Sequence, residues 1–190
     1  DSRMTRPGDL FVAIKGFETD GHRFIRKAME RGAVAVLCED APADGTPYIR
    51  IADCRLGLAY VSREFFGSPA KRMTLIGITG TSGKTTSSYL IKHMLETKLG
   101  AKVGLIGTNG NMIGDELAHS EHTTPESYEL NKLFAAMADA GCTHVVMEVS
   151  SHALALERVA GIHFDVGEFT NLSQDHLDLH GTMEEYAAAK

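Results

Sequence analysis

Leu75-Ile76-Gly77-Ile78-Thr79 runs directly into Gly80-Thr81-Ser82-Gly83-Lys84-Thr85-Thr86, and this stretch decides how the chain is read. Its first part is an apolar run of strand length, its second a glycine loop, and the residues up to about Leu99 read as a helix. A glycine loop between a buried strand and a helix exposes backbone N–H groups at the positive end of the helix dipole, where a phosphate chain is held. The stretch fits G-x-x-x-x-G-K-[ST] except that Ile78 stands where the first Gly is expected. Cofactor contacts are therefore assigned to Gly80, Thr81, Ser82, Gly83, Lys84, Thr85 and Thr86, with ATP as the expected nucleotide. Lys84 would reach the outer phosphates and Thr85 would offer its hydroxyl to Mg2+.

Downstream of the loop, strand-like runs recur at Val103–Ile106 and His144–Val149, with a helical pattern from Pro125 to Ala140 between them. Such alternation predicts an α/β P-loop (Rossmann-like) domain with a mostly parallel sheet and crossover helices. Thr108–His122 is polar, contains glycine and is long for a connection, which makes it a candidate binding loop. Glu148 closes an apolar strand run, and a carboxylate at that end of a strand faces the phosphate crevice. It is the first metal-ligand candidate, since Mg2+ needs only one or two carboxylates besides phosphate oxygens and water.

Upstream, Leu10–Ile14, Ala33–Cys38 and Tyr48–Ile51 read as strands, and Phe24–Arg31 and the residues after Asp53 as helices. This is a small α/β unit. Gly67-Ser68-Pro69-Ala70-Lys71 has linker chemistry, so the expected domains are 1–70 and 71–190. The sequence opens on Asp1 without an initiator Met and stops at Lys190 inside a helix-like run, so further segments are expected on both sides.

The 190 residues are 43% hydrophobic and 23% charged, enough to bury a core. Net charge is −6, and the imbalance is local: residues 1–66 carry 10 Lys and Arg against 10 Asp and Glu, residues 67–190 carry 9 against 15. An acidic second part is the wrong sign for a nucleic-acid face and points to a small nucleotide held by backbone amides. Cys38, Cys54 and Cys142 are odd in number and lack C-x-x-C spacing, which fits a reducing cytoplasm. No apolar run approaches the roughly 18 residues of a membrane span.

Asp175-His176-Leu177-Asp178-Leu179-His180 carries two histidines at i, i+4, a zinc-like spacing that lacks a third ligand. Asp175 and Asp178 read equally well as a carboxylate pair or as helix-capping residues. His22, His93, His119, His144 and His163 read as ordinary surface or core residues.

Taken together the residues resemble the Mur ligases over the whole chain. The likeness begins at Asp1-Ser2-Arg3, Pro7–Ala13, Gly16, Asp20-Gly21-His22 and Gly32-Ala33. Thr123-Thr124-Pro125, Met147–Leu154, Phe169-Thr170-Asn171-Leu172, Asp175–Asp178 and Tyr186-x-x-Ala189-Lys190 are similar to the branch that adds the third amino acid of the peptidoglycan precursor. The resemblance implies an N-terminal UDP-substrate-binding domain and an incomplete central ATP-binding domain, with a C-terminal ligase domain outside this sequence. It implies substrate contacts at Ser2, Phe17, Glu18, Thr19, Thr123, Thr124, Ser150 and Arg158. It implies catalytic roles for Lys84, Glu148, His176 and Lys190, and a metal set of Thr85, Glu148, His176 and Lys190, the lysine acting as a carbamate. Without the resemblance Lys190 reads as a solvated helix lysine.

The reaction so implied is ATP-dependent amide formation through an acyl phosphate, joining meso-diaminopimelate or L-lysine to UDP-N-acetylmuramoyl-L-alanyl-D-glutamate. A monomer acting on small molecules, away from membrane and nucleic acid, is expected. Two alternatives stand beside it. One is a sister ligase, either the branch that adds the terminal dipeptide or a folylpolyglutamate synthetase; the other is a noncatalytic nucleotide-binding module.

Overall fold

The computed structural model describes residues 1–17, 19–118, 120 and 122–190. The chain divides into two compact units, Asp1–Leu58 and Ala59–Lys190.

In the first unit, β1 (Leu10–Val12), α1 (Ile25–Glu30), β2 (Ala35–Cys38) and β3 (Tyr48–Arg50) form a three-stranded parallel sheet in sequence order with a crossover helix. Phe11, Ala13, Ile25, Ala28, Ala33, Val36 and Cys38 form its core. The expected helix from Phe24 is shorter than its pattern, because Asp20 caps a one-turn 3-10 segment, Gly21–Phe24, before α1 begins. The helix α2 (Cys54–Phe65) starts where the Asp53 carboxylate accepts from the backbone N–H of Arg55 and Leu56, at 2.7 and 3.0 Å.

The second unit is built on β4 (Thr74–Thr79), followed by α3 (Lys84–Leu99), β5 (Val103–Gly107), β6 (Gly110–Ile113), β7 (Glu116–Ala118) and α4 (Ser127–Asp139). β8 (His144–Glu148), α5 (Ser151–Ala155), β9 (Val166–Phe169), α6 (Leu177–His180) and α7 (Met183–Ala189) complete it. Its six-stranded sheet has the order β7-β6-β5-β8-β4-β9, in which β5, β8, β4 and β9 are parallel. Period-two alternation sends Leu75, Val145 and Met147 to one face, under Leu130, Phe134 and Met137 of α4. Ile76, Ile78 and Val146 go to the other, under Ile91 and Leu95 of α3. Both faces are covered, which is why these strands are apolar throughout. No helix among the described residues is long and apolar enough to cross a membrane.

Within the stretch expected as a loop, Gly110–Ile113 and Glu116–Ala118 are strands. Gly107 and Gly110 pair across a tight turn, so β6 returns antiparallel along β5 and β7 pairs antiparallel with β6. Gly114, at φ +60°, makes the second turn. These strands are short and half polar, which hid their alternation among turn residues.

Candidate active site

The glycine loop begins where β4 ends. Gly80 has φ +137° and Gly83, at the start of α3, has φ +89°, values that L side chains rarely adopt. A Cβ on Gly80 would lie 2.0 Å from the Thr170 hydroxyl, so this backbone touches the loop after β9 only because the residue is glycine. The Lys84 ammonium folds back over the loop and donates to the carbonyls of Gly80 and Thr81, each at 2.9 Å.

Parallel register sets Glu148 of β8 beside Ile78 of β4, at the end of the sheet from which the loop springs. Its carboxylate is 1% exposed. Such burial is costly for an anion unless its oxygens are satisfied. Oε2 accepts from the Thr85 hydroxyl at 2.9 Å and from the Thr108 hydroxyl at 3.2 Å, while Oε1 accepts from the Thr108 backbone N–H at 3.1 Å. Room for it comes from Gly107, where a Cβ would lie 2.2 Å from Oε1.

The residues following Glu148 join a second polar group to the first. The fully buried Thr124 donates its hydroxyl to the Glu148 carbonyl at 2.8 Å and accepts from the Ser150 N–H at 3.1 Å. The Thr123 and Thr108 hydroxyls are 3.0 Å apart. Ser150 caps α5 through its Oγ, and Arg158 reaches back to donate to the Thr124 carbonyl at 3.0 Å. Arg158 also pairs with Glu126 at 2.6 Å, and its buried Nε has no partner among the described residues. Thr123, Thr124, Ser150 and Arg158 thus form a path leading away from Glu148.

Lys190 lies at the end of α7 with its ammonium on the Gly80 carbonyl at 2.9 Å and the Thr79 hydroxyl at 3.3 Å. It sits 5.0 Å above the ring of the fully buried Tyr186. Burial, reinforced by the charge of Lys84, pulls its pKa down to about 8. His176 is placed differently from the helical face its spacing suggested: it has φ +52° and stands before α6. Its Nε2 is 3.5 Å from an Asp175 oxygen, and its ring meets those of His152 at 4.7 Å and Tyr186 at 6.3 Å. Asp175 caps the His176 N–H, whereas Asp178 lies in the first turn of α6. Among the described residues no group of three or more His, Cys, Asp or Glu side chains is arranged to hold a metal.

In the first unit, Ser2 and Thr19 line one concavity of about 500 Å3 with Phe11, Phe24 and Lys27. Phe17 is 75% exposed and is not among its lining residues; its ring lies 5.9 Å from the Arg55 guanidinium. Glu18, assigned to the same contacts, and His119 lie outside the described residues. His22, expected to be ordinary, is a strut. Its Nδ1 meets Asp20 at 2.7 Å, and its Nε2 accepts from the N–H groups of Glu39 and Asp40 at 3.1 and 3.2 Å.

Beside this geometry, a glycine loop with a buried carboxylate against its Thr85 and a lysine returning to the Gly80 carbonyl, stand the comparisons with known families. The Mur ligase middle-domain model matches residues 78–190, and the Mur ligase family catalytic-domain model matches residues 1–67. The chain belongs to the Mur ligase family. A curated Mur ligase relative, the UDP-N-acetylmuramoyl-L-alanyl-D-glutamate--2,6-diaminopimelate ligase of Chlorobium phaeobacteroides, is 50% identical over 194 residues, covering 100% of this chain and 38% of that protein. A solved structure of a ligase with that same name has a TM-score of 0.85 at 31% identity, over 100% of this chain and 38% of the other. The MurF ligase of Thermotoga maritima in complex with ADP has a TM-score of 0.63 at 26% identity, over 100% of this chain and 40% of its own. The chain therefore spans about two fifths of the length of the proteins it matches.

Several residues of this candidate site were not assigned to it from sequence. Thr108 gives Glu148 two of its three hydrogen bonds, and Gly107 gives it space. Glycine inside a strand signals close approach, so Gly107 carried a readable hint. Thr108 heads the stretch expected as a binding loop and Tyr186 belongs to a motif that carries the resemblance, whereas Glu126 carried no hint, because its role depends on which elements the fold brings side by side.

Proposed function

We propose that the protein carrying this chain is an ATP-dependent ligase that joins a diamino acid to UDP-N-acetylmuramoyl-L-alanyl-D-glutamate. The observation that carries the reading is the Glu148 carboxylate hydrogen-bonded to Thr85, one residue from Lys84 of the glycine loop. The relatives' printed names supply the substrates, and 2,6-diaminopimelate is the diamino acid they name. Division of labour follows the expected domains, 1–70 for the UDP end and 71–190 for ATP.

The donor set suits Mg2+: a hydroxyl and a carboxylate, both hard oxygens, meet at 2.9 Å beside a phosphate-binding loop. Thr85 and Glu148 would hold the ion, with Lys190 as a carbamate and His176 as further contributors. When bound, it would neutralise charge on the phosphates. The chain's own residues account for the rest. The Thr81 and Ser82 N–H groups are held by Asn171, so the amides from Gly83 to Thr86 at the start of α3 cradle the phosphates, and Lys84 releases its two carbonyls to meet the phosphoryl group passing to the substrate carboxylate. Thr123, Thr124, Ser150 and Arg158 orient the muramoyl peptide, Arg158 by exchanging Glu126 and the Thr124 carbonyl for the substrate's carboxylate on its guanidinium fork. The incoming amine then displaces phosphate from the acyl phosphate and forms the amide. Lys190 is prepared for carbamylation, since a lysine with a pKa of about 8 presents neutral amine to CO2. A monomer in the cytoplasm, with small-molecule substrates only, completes the proposal.

The test is ADP release by the full-length protein with Mg-ATP, UDP-N-acetylmuramoyl-L-alanyl-D-glutamate and each diamino acid. Release that requires both the UDP-linked dipeptide and 2,6-diaminopimelate is expected. Release only with a UDP-linked tripeptide or a folate would assign the protein to a sister ligase, and none with any acid would make it a noncatalytic module.

A further inference from the structure

The loop after β9 clasps the glycine loop from its open side. Asn171 uses both ends of its side-chain amide on one residue: Oδ1 accepts from the Ser82 N–H at 3.0 Å and Nδ2 donates to the Ser82 carbonyl at 3.0 Å. The Thr170 hydroxyl donates to the same carbonyl at 2.7 Å. Backbone bonds flank the clasp, from the Thr81 N–H to the Asn171 carbonyl at 2.9 Å and from the Ser173 N–H to the Thr81 hydroxyl at 3.0 Å. The bare Cα of Gly80 lets the two loops approach this closely.

A free glycine loop can turn its amides in many directions, and ordering it costs backbone entropy at every residue. A side-chain amide that binds the N–H and the C=O of one residue fixes that residue's peptide planes as a neighbouring β-strand would. Ser82 sits at the middle of the loop, so its orientation sets the direction of the amides on either side. We infer that Asn171 is a positioning residue for the nucleotide: it holds the glycine loop in its phosphate-accepting shape without touching the phosphates. This rests on the reading of residues 80–86 as the triphosphate site.

The experiment compares full-length wild type, Asn171→Ala and Asn171→Asp for Mg-ADP affinity by calorimetry and for KM and kcat of the ligase reaction. Losing two hydrogen bonds weakens Mg-ADP binding and raises KM for ATP about tenfold. KM for the UDP-linked dipeptide and kcat at saturating ATP stay within about threefold of wild type, a split that general loosening of the fold would not produce. Asn171→Asp is the more severe variant, because an acceptor then faces the Ser82 carbonyl. If Asn171→Ala does not fold, the near-isosteric Asn171→Asp carries the test by the same readouts. Unchanged ADP affinity in a folded variant overturns the inference while wild-type binding upholds the site. A wild type that binds no Mg-ADP overturns the triphosphate reading, and the inference with it.

Discussion

Lys84 and Lys190, 106 positions apart in sequence, place their ammonium groups on the same oxygen, the Gly80 carbonyl, each at 2.9 Å. Two cations sharing one acceptor repel each other, and Lys190 yields: burial first and Lys84 second bring its pKa down to about 8.

Near pH 8 Lys190 is therefore half neutral, while an ordinary lysine, with a pKa of about 10.4, is almost wholly charged. Cyanate, which modifies neutral amines, should label Lys190 about tenfold faster than the exposed lysines. Replacing Lys84 by Met removes the repulsion, raises the Lys190 pKa and slows labelling. Peptide mass spectrometry after timed exposure reads both effects. Equal labelling of Lys190 and the exposed lysines would count against the shared-acceptor picture.

Gly107→Ala tests the Glu148 pocket without altering its ligands. The new Cβ would lie 2.2 Å from Oε1, so the carboxylate must shift away from the Thr108 N–H. We expect a loss of about 1–3 kcal/mol in unfolding free energy. Ligase activity should fall about a hundredfold, approaching that of Glu148→Gln. Denaturant unfolding and ADP-release assays supply the two measurements.

Arg158→Lys preserves charge but removes the planar fork that reaches both the Thr124 carbonyl and Glu126. Affinity for the UDP-linked dipeptide should fall about tenfold while Mg-ADP affinity stays in place. Titration calorimetry with each ligand separates the two. Equal loss of both affinities would reduce Arg158 to a general structural tie.

In the first unit, acid should act through Asp20, Asp40 and Asp44. The His22 N–H and ring hold Asp20 below the usual carboxylate range, the Lys15 ammonium holds Asp40 there, and the Thr46 hydroxyl and N–H hold Asp44. A depressed folded pKa means stability that is present above the unfolded value of about 3.9 and is lost as pH falls through the folded value. Lys15→Met should therefore lower Tm at pH 7, and the gap from wild type should close as Asp40 is protonated below about pH 4. Circular dichroism melts across pH 2–7 check this; a gap that stays constant with pH would exclude the ion pair as its cause.

The sequence by itself determined the α/β alternation, the glycine loop between β4 and α3, and Glu148 at a strand end. Each is a local statement: apolar period, backbone freedom at glycine, or a charged residue closing a buried run. Tertiary structure alone decided that Gly110–Ile113 and Glu116–Ala118 would fold as two antiparallel strands, since their partner β5 precedes them across a tight turn. It likewise decided that Gly107 would make way for Glu148, that Asn171 would clasp Ser82, and that Lys190 would return to Gly80. Parallel strands adjacent in the sheet are remote in sequence, so contacts at their ends join residues that no local spacing can connect.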